Sequence, residues 1–268
     1  MEYGKVMEFE TLIYEVEDGV AHITLNREKA ANALNLQMAK DLMYAATAVE
    51  EDSQIRAVVL GARGKMFCAG GDLGSFREAG DKMPSLLKEI TTFLHAAISQ
   101  FARMRAPVIA AVNGTAAGAG FSLICSTDFA IAAESAKFSM AYTQAGLTPD
   151  GSSTYFMPRL IGTRRSLELM LTNRRLTAQE ALEWGLLNQV VADDELQSAA
   201  TGLARQLAQG ATSAFGATKQ LVGASFEQSL ETQMEAESRA ITKAARGPEA
   251  AEGIGAFFEK RKPEFSQG

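Results

Sequence analysis

The stretch "FCAGGDLG", residues 67–74, places three glycines and one acid, Asp72, after a predicted buried strand at residues 56–61. Glycines leave the peptide groups of such a corner open to another molecule. A second corner of this kind, "NGTAAGAG", residues 113–120, follows a predicted strand at residues 107–112. Peptide N–H groups from two corners can converge on an oxygen that becomes negative during a reaction. The sequence therefore predicts one site made from two backbone corners, with Asp72 interpreted mainly as the cap of its turn.

Hydrophobic periodicity predicts a mixed α/β fold followed by helices alone. A hairpin is predicted around "EDG", residues 17–19, and amphipathic helices are predicted at residues 36–52 and 86–104. The pattern becomes helical after residue 195, with a long helical segment at residues 225–245. Residues 75–85 between the first corner and the second helix are polar, and we expect them to form a mobile segment.

Composition excludes several classes of function. The 268 residues carry a formal net charge of −6, which argues against nucleic acid as a partner. Two cysteines and two histidines are too few for a disulfide framework or a cysteine zinc site, so we expect no bound metal. The acidic start and the lack of a membrane-length apolar run predict a cytoplasmic protein without a membrane partner. Glycine spacing also fails the dinucleotide and P-loop patterns.

Six segments resemble, in order, the crotonase superfamily of enoyl-CoA hydratases and isomerases. They are "ITLNREKAANALN", "FCAGGDL", "APVIAAVNGTAAGAGFSL", "TDFAIAAESAKF", "RLTAQEALEWGLLNQVV" and "FFEKRKPEF". The resemblance implies a crotonase-like spiral of repeated ββα units in residues 1–195, which carries a coenzyme A thioester site. It also implies a helical C-terminal region in residues 196–268 that serves association and site closure, in a homotrimer or a dimer of trimers.

The resemblance assigns roles to individual positions of the two corners. It implies that the amides of Gly71 and Ala119 are the donors to the thioester oxygen; alanine stands where the family usually has glycine, and it keeps the N–H. No tightly bound cofactor is implied, since coenzyme A arrives as part of the substrate. The substrate-binding positions implied by the resemblance, with Tyr142 expected in the acyl pocket, are Ala31, Ala33, Ala69, Asp72, Leu73, Tyr142 and Lys260.

The resemblance does not carry over the two glutamates of the family's hydratases, because Ser122 and Tyr142 occupy their positions. Hydration requires groups that deprotonate water and supply a carbon-bound proton, so hydratase is the second choice. One acid, Asp150 in "GLTPDGSS", stands where isomerase-like members often carry one. A single carboxylate can move a proton from C2 to C4 of a 3-enoyl thioester, which favours Δ3-Δ2-enoyl-CoA isomerisation. Capping of the helix that follows is an equally weighted interpretation of Asp150.

Two further hypotheses stay open. The 4-chlorobenzoyl-CoA dehalogenases of the superfamily carry a nucleophilic aspartate at the position of Asp150 and a histidine at that of His95. Their tryptophan is replaced here by Tyr142, which counts against this chemistry, and His95 is interpreted first as a half-buried surface residue. Finally, the chain could bind acyl-CoA without turning it over, because a fold does not determine a function.

Overall fold

Two β-sheets form the core of the computed structural model, which describes residues 8–265. The start of the predicted region 1–195 and the end of the predicted region 196–268, at residues 1–7 and 266–268, lie outside this range. The strands are β1 (Leu12–Glu17), β2 (Val20–Leu25), β3 (Ala57–Ala62), β4 (Met66–Cys68), β5 (Val108–Val112), β6 (Thr115–Ala117), β7 (Phe129–Ala133), β8 (Lys137–Ser139), β9 (Leu176–Thr177) and β10 (Gln189–Val191). The helices are α1 (Leu36–Glu51), α2 (Leu73–Ala79), α3 (Met83–Arg103), α4 (Ala119–Cys125), α5 (Ser153–Ile161), α6 (Thr163–Thr172), α7 (Ala178–Trp184), α8 (Leu196–Ala208), α9 (Thr212–Ala224), α10 (Leu230–Ala244) and α11 (Pro248–Glu259).

The larger sheet has the strand order β1-β2-β3-β5-β7-β10. Strands β1 and β2 form the predicted antiparallel hairpin, and the other pairs are parallel. Strand β5 shows why the central strands are continuous apolar runs: Val108 and Ala110 face the core under α1 and α3, whereas Ile109 faces the core under α8. Both faces are covered, as is usual for parallel strands.

The smaller sheet has the order β4-β6-β8-β9. In three successive units, β3–β4, β5–β6 and β7–β8, the first strand joins the larger sheet and the second joins the smaller one. Helices follow each strand pair. This repetition is the ββα spiral that the resemblance implies, within the mixed α/β class that the pattern predicts.

The segment at residues 75–85, which the sequence predicts to be mobile, is helical instead. It contains most of α2, a 3₁₀ turn at Gly80–Lys82 and the start of α3. The Asp72 side chain caps α2 by accepting a hydrogen bond from Ser75 N, 3.2 Å away, and Phe76 on that helix is buried. Polar residues therefore form the outer face of a short capped helix here.

The C-terminal helices differ in how they pack. Helix α8 buries four residues against the larger sheet: Leu196, Ala200, Ala204 and Ala208. The division at residue 195 stays a prediction, although α8 is part of the same core. The predicted helical segment at residues 225–245 begins later, at Leu230, because the Ser229 side chain caps α10 by accepting from Thr232 N.

Helices α9 to α11 present large apolar side chains to solvent in the single chain. The exposed residues of these helices, and of the turn between α9 and α10, which holds Phe226, are Val222, Phe226, Leu230, Met234, Ile241, Ile254, Phe257 and Phe258. In α10 no residue is buried. Within residues 8–265, no helix combines the length and the apolarity needed to cross a bilayer.

Candidate active site

The two glycine-rich corners meet because β4 and β6 are neighbouring parallel strands. Met66 pairs with Thr115, and Cys68 pairs with Ala116. Parallel neighbours end at the same edge of a sheet, so the segments that follow them leave it side by side. Gly71 lies three residues beyond Cys68, and Ala119 lies three residues beyond Ala116.

The corners approach each other more closely than side chains would allow. Gly70 and Gly118 both have positive φ angles, of 98° and 49°. A Cβ atom added to Gly70 would lie 3.1 Å from the carbonyl oxygen of Ala117. A Cβ atom added to Gly120 would lie 2.5 Å from the Cys68 Cβ atom. Glycine is therefore required where the segments cross, both for conformation and for space.

The amides of Gly71 and Ala119 are left free. Leu34 bridges the first corner by donating its N–H to Gly70 O, at 2.7 Å, and accepting from Asp72 N, at 3.0 Å. This pairing leaves the N–H of Gly71 directed away from Leu34. Within the described range, neither the Gly71 nor the Ala119 N–H has a hydrogen-bond acceptor. Two such donors on adjacent corners suit an oxygen that gains negative charge.

The segment that contains Ala31 and Ala33 packs directly on the first corner. Ala69 N donates to Ala31 O at 3.0 Å. The guanidinium of Arg27 donates to the carbonyl of Ala33 and forms an ion pair with Asp72 at 3.0 Å. The structure thus gathers these predicted binding positions into one patch, and it adds Arg27, which the sequence analysis missed although it lies inside the first resembling segment.

Asp72 serves this patch as a structural carboxylate. Burial favours its neutral form, but hydrogen bonds from Ser75 and Arg27 outweigh burial and hold the pKa of Asp72 below its ordinary value. Its interpretation as a cap is confirmed. Leu73 follows as an exposed residue at the start of α2.

Lys260 is not brought together with this patch. It lies at the C-terminal end of α11 with a left-handed backbone conformation. Its ammonium group forms no hydrogen bond or ion pair with the described residues. The role that the resemblance implies for Lys260 stays a prediction.

Asp150 and His95 are in contact, which revises two interpretations. His95 Nε2 lies 2.8 Å from Asp150 Oδ1, with side chains 52% and 32% exposed, respectively. Helix α5 has no side-chain cap, so the capping interpretation of Asp150 is wrong. Instead the Asp150 carbonyl accepts from the Ser153 hydroxyl at 3.0 Å. His95 is half-exposed as expected, but its preferred interpretation as a surface residue omitted this contact, which links positions 55 residues apart.

Ser122, which is buried, and Tyr142, which is partly buried, form a pair beside Asp150. The Ser122 Oγ atom lies 3.0 Å from the Tyr142 hydroxyl and 3.2 Å from Gly118 O. The Tyr142 hydroxyl lies 3.2 Å from the carbonyl of Asp150. Burial raises the pKa of the Tyr142 phenol well above its ordinary value, so the phenol stays protonated. The positions that lack glutamates thus connect the second corner to Asp150 through two hydroxyl groups.

A cavity of about 510 Å³ opens beside His95, between α3, α5 and α9. Apolar side chains, among them Ile98, Ala102 and Phe156, line it together with Lys219 and Glu227 at its rim and floor. Apolar space next to a few polar groups is typical of a small-molecule site. Among residues 8–265, no group of three metal-ligating side chains is found.

Comparison with known proteins agrees with this geometry. Residues 15–268 match the family described as enoyl-CoA hydratase/isomerase. A 1,2-epoxyphenylacetyl-CoA isomerase of Escherichia coli is 38% identical over 97% of this chain and 99% of its own length. A 4-chlorobenzoyl coenzyme A dehalogenase of Arthrobacter is 34% identical over 92% of this chain and 90% of its own.

Solved structures show the same architecture. The crystal structure of an enoyl-CoA hydratase from Bacillus anthracis superposes with a TM-score of 0.90 at 32% identity, covering 97% of this chain and 100% of that one. Fold, corners and relatives therefore lead to one conclusion: the chain belongs to the enoyl-CoA hydratase/isomerase family of the crotonase superfamily.

Proposed function

We propose that this chain catalyses Δ3-Δ2 double-bond isomerisation of an enoyl-CoA thioester, with Asp150 as the acid/base. The observation that supports this most is the state of the two carboxylates near the corners. Asp72 is engaged by Arg27 and by the end of α2. Asp150 has one oxygen bound to His95, which leaves Oδ2 for a proton of the substrate.

In the proposed reaction the Asp150 carboxylate removes a proton from C2 of a 3-enoyl thioester. The electron pair of the broken C–H bond spreads into a dienolate, whose negative charge rests largely on the thioester oxygen. The N–H groups of Gly71 and Ala119 stabilise that charge, and each such donor typically contributes about 2.7–4 kcal/mol. The same carboxyl group then returns the proton to C4, which restores the carboxylate and gives the 2-enoyl product.

His95 orients the base in this scheme. Its Nε2 atom holds Asp150 Oδ1 at 2.8 Å, which fixes the plane of the carboxylate. The cavity beside His95 offers apolar space for an acyl group. Ala31, Ala33, Ala69, Leu73 and Lys260 are proposed to hold the coenzyme A portion, with no other cofactor.

Hydration is the weaker alternative. At the positions of the hydratase glutamates, Ser122 and Tyr142 are hydrogen bonded to each other at 3.0 Å. Hydroxyl groups whose ordinary pKa values lie far above neutrality are poor general bases for water. Tyr142 is proposed to border the substrate instead.

A second candidate, hydrolytic dehalogenation of an aryl-CoA, is favoured by the contact between His95 and Asp150. There the Asp150 carboxylate would displace halide from the ring carbon and form an aryl ester. Water, deprotonated with the help of His95, would then hydrolyse that ester and release the carboxylate. The phenol of Tyr142 in place of the dehalogenases' tryptophan counts against it.

The deciding experiment is the ultraviolet absorbance change with a medium-chain 3-enoyl-CoA, run on wild type and on Asp150→Asn. We expect a conjugated 2-enoyl product from wild type and a rate about 10²–10⁴-fold lower from the variant. Equal rates in the two proteins would refute Asp150 as the base. Halide release from 4-chlorobenzoyl-CoA would favour the second candidate, and thioester binding without exchange of α-protons in D₂O would favour a non-catalytic binding module.

We also propose self-association, as a homotrimer or a dimer of trimers, and a cytoplasmic location. The support for association is the exposed apolar face of α9 to α11, which is large for a protein that remains a monomer. Light scattering on the eluting protein measures the assembly. A single chain mass at micromolar concentration would contradict it.

A further inference from the structure

The two hydroxyl groups of Ser122 and Tyr142 make more short contacts than they have protons. Ser122 Oγ is within hydrogen-bond distance of Gly118 O and of the Tyr142 hydroxyl, and that hydroxyl is also 3.2 Å from Asp150 O. Two protons must therefore serve three contacts. Three arrangements are possible: Tyr142 donates to Ser122 and Ser122 to Gly118; Ser122 donates to Tyr142 and Tyr142 to Asp150; or each hydroxyl donates to its own carbonyl and the two do not bond. Only the first links Tyr142 to Gly118 O.

The first arrangement ends on a peptide group of the active site. Gly118 O belongs to the same peptide unit as the N–H of Ala119, one of the two proposed donors to the thioester oxygen. This carbonyl already accepts from Ser122 N at 3.0 Å. A further donor to a peptide oxygen polarises the unit and makes its N–H a stronger donor, because hydrogen bonds in a chain reinforce one another.

The other end of the chain does not depend on Tyr142. The carbonyl of Asp150 accepts from the Ser153 hydroxyl at 3.0 Å and from Ser153 N at 3.4 Å. When Tyr142 donates to Ser122 instead, Asp150 O keeps these partners. A negative charge at the N–H of Ala119 makes Gly118 O a better acceptor, so the developing oxyanion itself favours the arrangement directed at Gly118.

We propose that Ser122 and Tyr142 form a hydroxyl relay that strengthens the Ala119 N–H as an oxyanion donor. Both are positioning residues in this role, since their hydroxyl groups act through the Gly118–Ala119 peptide, while only the ring of Tyr142 is proposed to border the substrate. The relay rests on the proposed oxyanion site, but it does not depend on the identity of the acid/base. It gives a function to the two positions that lack the hydratase glutamates.

The test uses the full-length protein and 4-dimethylaminocinnamoyl-CoA, whose absorption moves to longer wavelength when its thioester carbonyl is polarised. We expect wild type to shift the bound probe to longer wavelength. Tyr142→Phe removes one hydroxyl without changing the ring, and we expect it to lose on the order of 10–30% of the shift. Ser122→Ala should lose more, and the double variant should equal Ser122→Ala, because Tyr142 acts only through Ser122.

Ser153→Ala is the matched control. It also removes a buried hydroxyl from the carbonyl of Asp150, but it has no contact with Gly118, so the shift should match that of wild type. An unchanged shift in Tyr142→Phe, or additive losses in the double variant, would overturn the relay. A probe that binds wild type without any shift would overturn the relay and the oxyanion site together. A shifted probe on a protein that does not isomerise 3-enoyl-CoA would reject the proposed reaction alone.

Discussion

Replacing Lys219 by methionine should destabilise the fold strongly, because it leaves Asp128 buried without its partner. Lys219 on α9 donates to Asp128 Oδ2 at 2.6 Å and to the carbonyls of Phe101 and Ala106 at 3.1 and 3.2 Å. Burial lowers the pKa of Lys219 and raises that of Asp128, against their mutual attraction. Both directions show that burial of these charges outweighs their pairing.

Such a pair adds little net stability, but loss of one partner is costly. Removing one member of a buried ion pair typically costs 3–5 kcal/mol. We expect a loss of about 3 kcal/mol, the lower end of that range, because the Lys219 and Asp128 side chains are 11% and 20% exposed. Urea unfolding at one protein concentration measures it. The double variant Lys219→Met/Asp128→Asn should recover part of the loss, since asparagine still accepts from Val108 N.

The deficit should also depend on pH. An acid whose pKa is raised in the folded state binds more protons there than in the unfolded chain, so stability falls as pH rises through that interval. The Lys219→Met deficit should therefore be smallest below about pH 4, near the unfolded pKa of Asp128, and largest above neutrality. A deficit under ~0.5 kcal/mol at pH 8, or a double variant no more stable than the single one, would refute the reasoning, since surface substitutions lie in that range.

Three further predictions concern the corners. Gly120→Ala should cost about 1–3 kcal/mol by urea unfolding, because its Cβ atom would meet Cys68 at 2.5 Å; equal midpoints would contradict this packing. Burial raises the pKa of Cys68 to about 11 and that of Cys125, at the end of α4, to about 12. An aromatic disulfide reagent at pH 8 should therefore label neither thiol until urea unfolds the chain. Rapid labelling of the native protein would be evidence against burial. The lowered pKa of Asp72 stabilises the fold above the unfolded pKa, near 3.9, and this stabilisation is lost as pH falls through the folded pKa. Asp72→Asn should therefore reduce the loss of stability at acid pH. An unchanged loss would exclude Asp72 as its cause.

The elements of the fold could largely be predicted from local patterns. The predicted helix at residues 36–52 matches α1, Leu36–Glu51, and the one at residues 86–104 matches most of α3, Met83–Arg103. The errors came from weighing polarity above capping. Asp72 with Ser75 marks the start of α2, which the polar composition hid, and Ser229 with Thr232 marks the start of α10, which the pattern places too early.

The site was less accessible to sequence reasoning. The two glycine-rich corners have a local signature, but Gly71 and Ala119 within them are named only because the resemblance implies them. The contact between His95 and Asp150 joins α3 to a loop 55 residues later, and no local pattern records it. The three hydrogen-bond contacts that join Ser122, Tyr142 and the carbonyls of Gly118 and Asp150 likewise depend on how distant segments pack.

The bridge between Leu34 and Gly71 constrains the length of the first corner more than its composition. Leu34 uses the carbonyl of Gly70 and the N–H of Asp72, so the amide between them must point the opposite way. The planar trans peptide sets this direction, because the N–H of Gly71 points opposite to the carbonyl of Gly70 in the same peptide unit. Adding or deleting one residue between Cys68 and Asp72 would turn the proposed Gly71 donor inward. Insertions in this corner should therefore abolish activity even where the chain still folds, whereas a library of the same length that keeps Gly70 and Gly71 should retain active members.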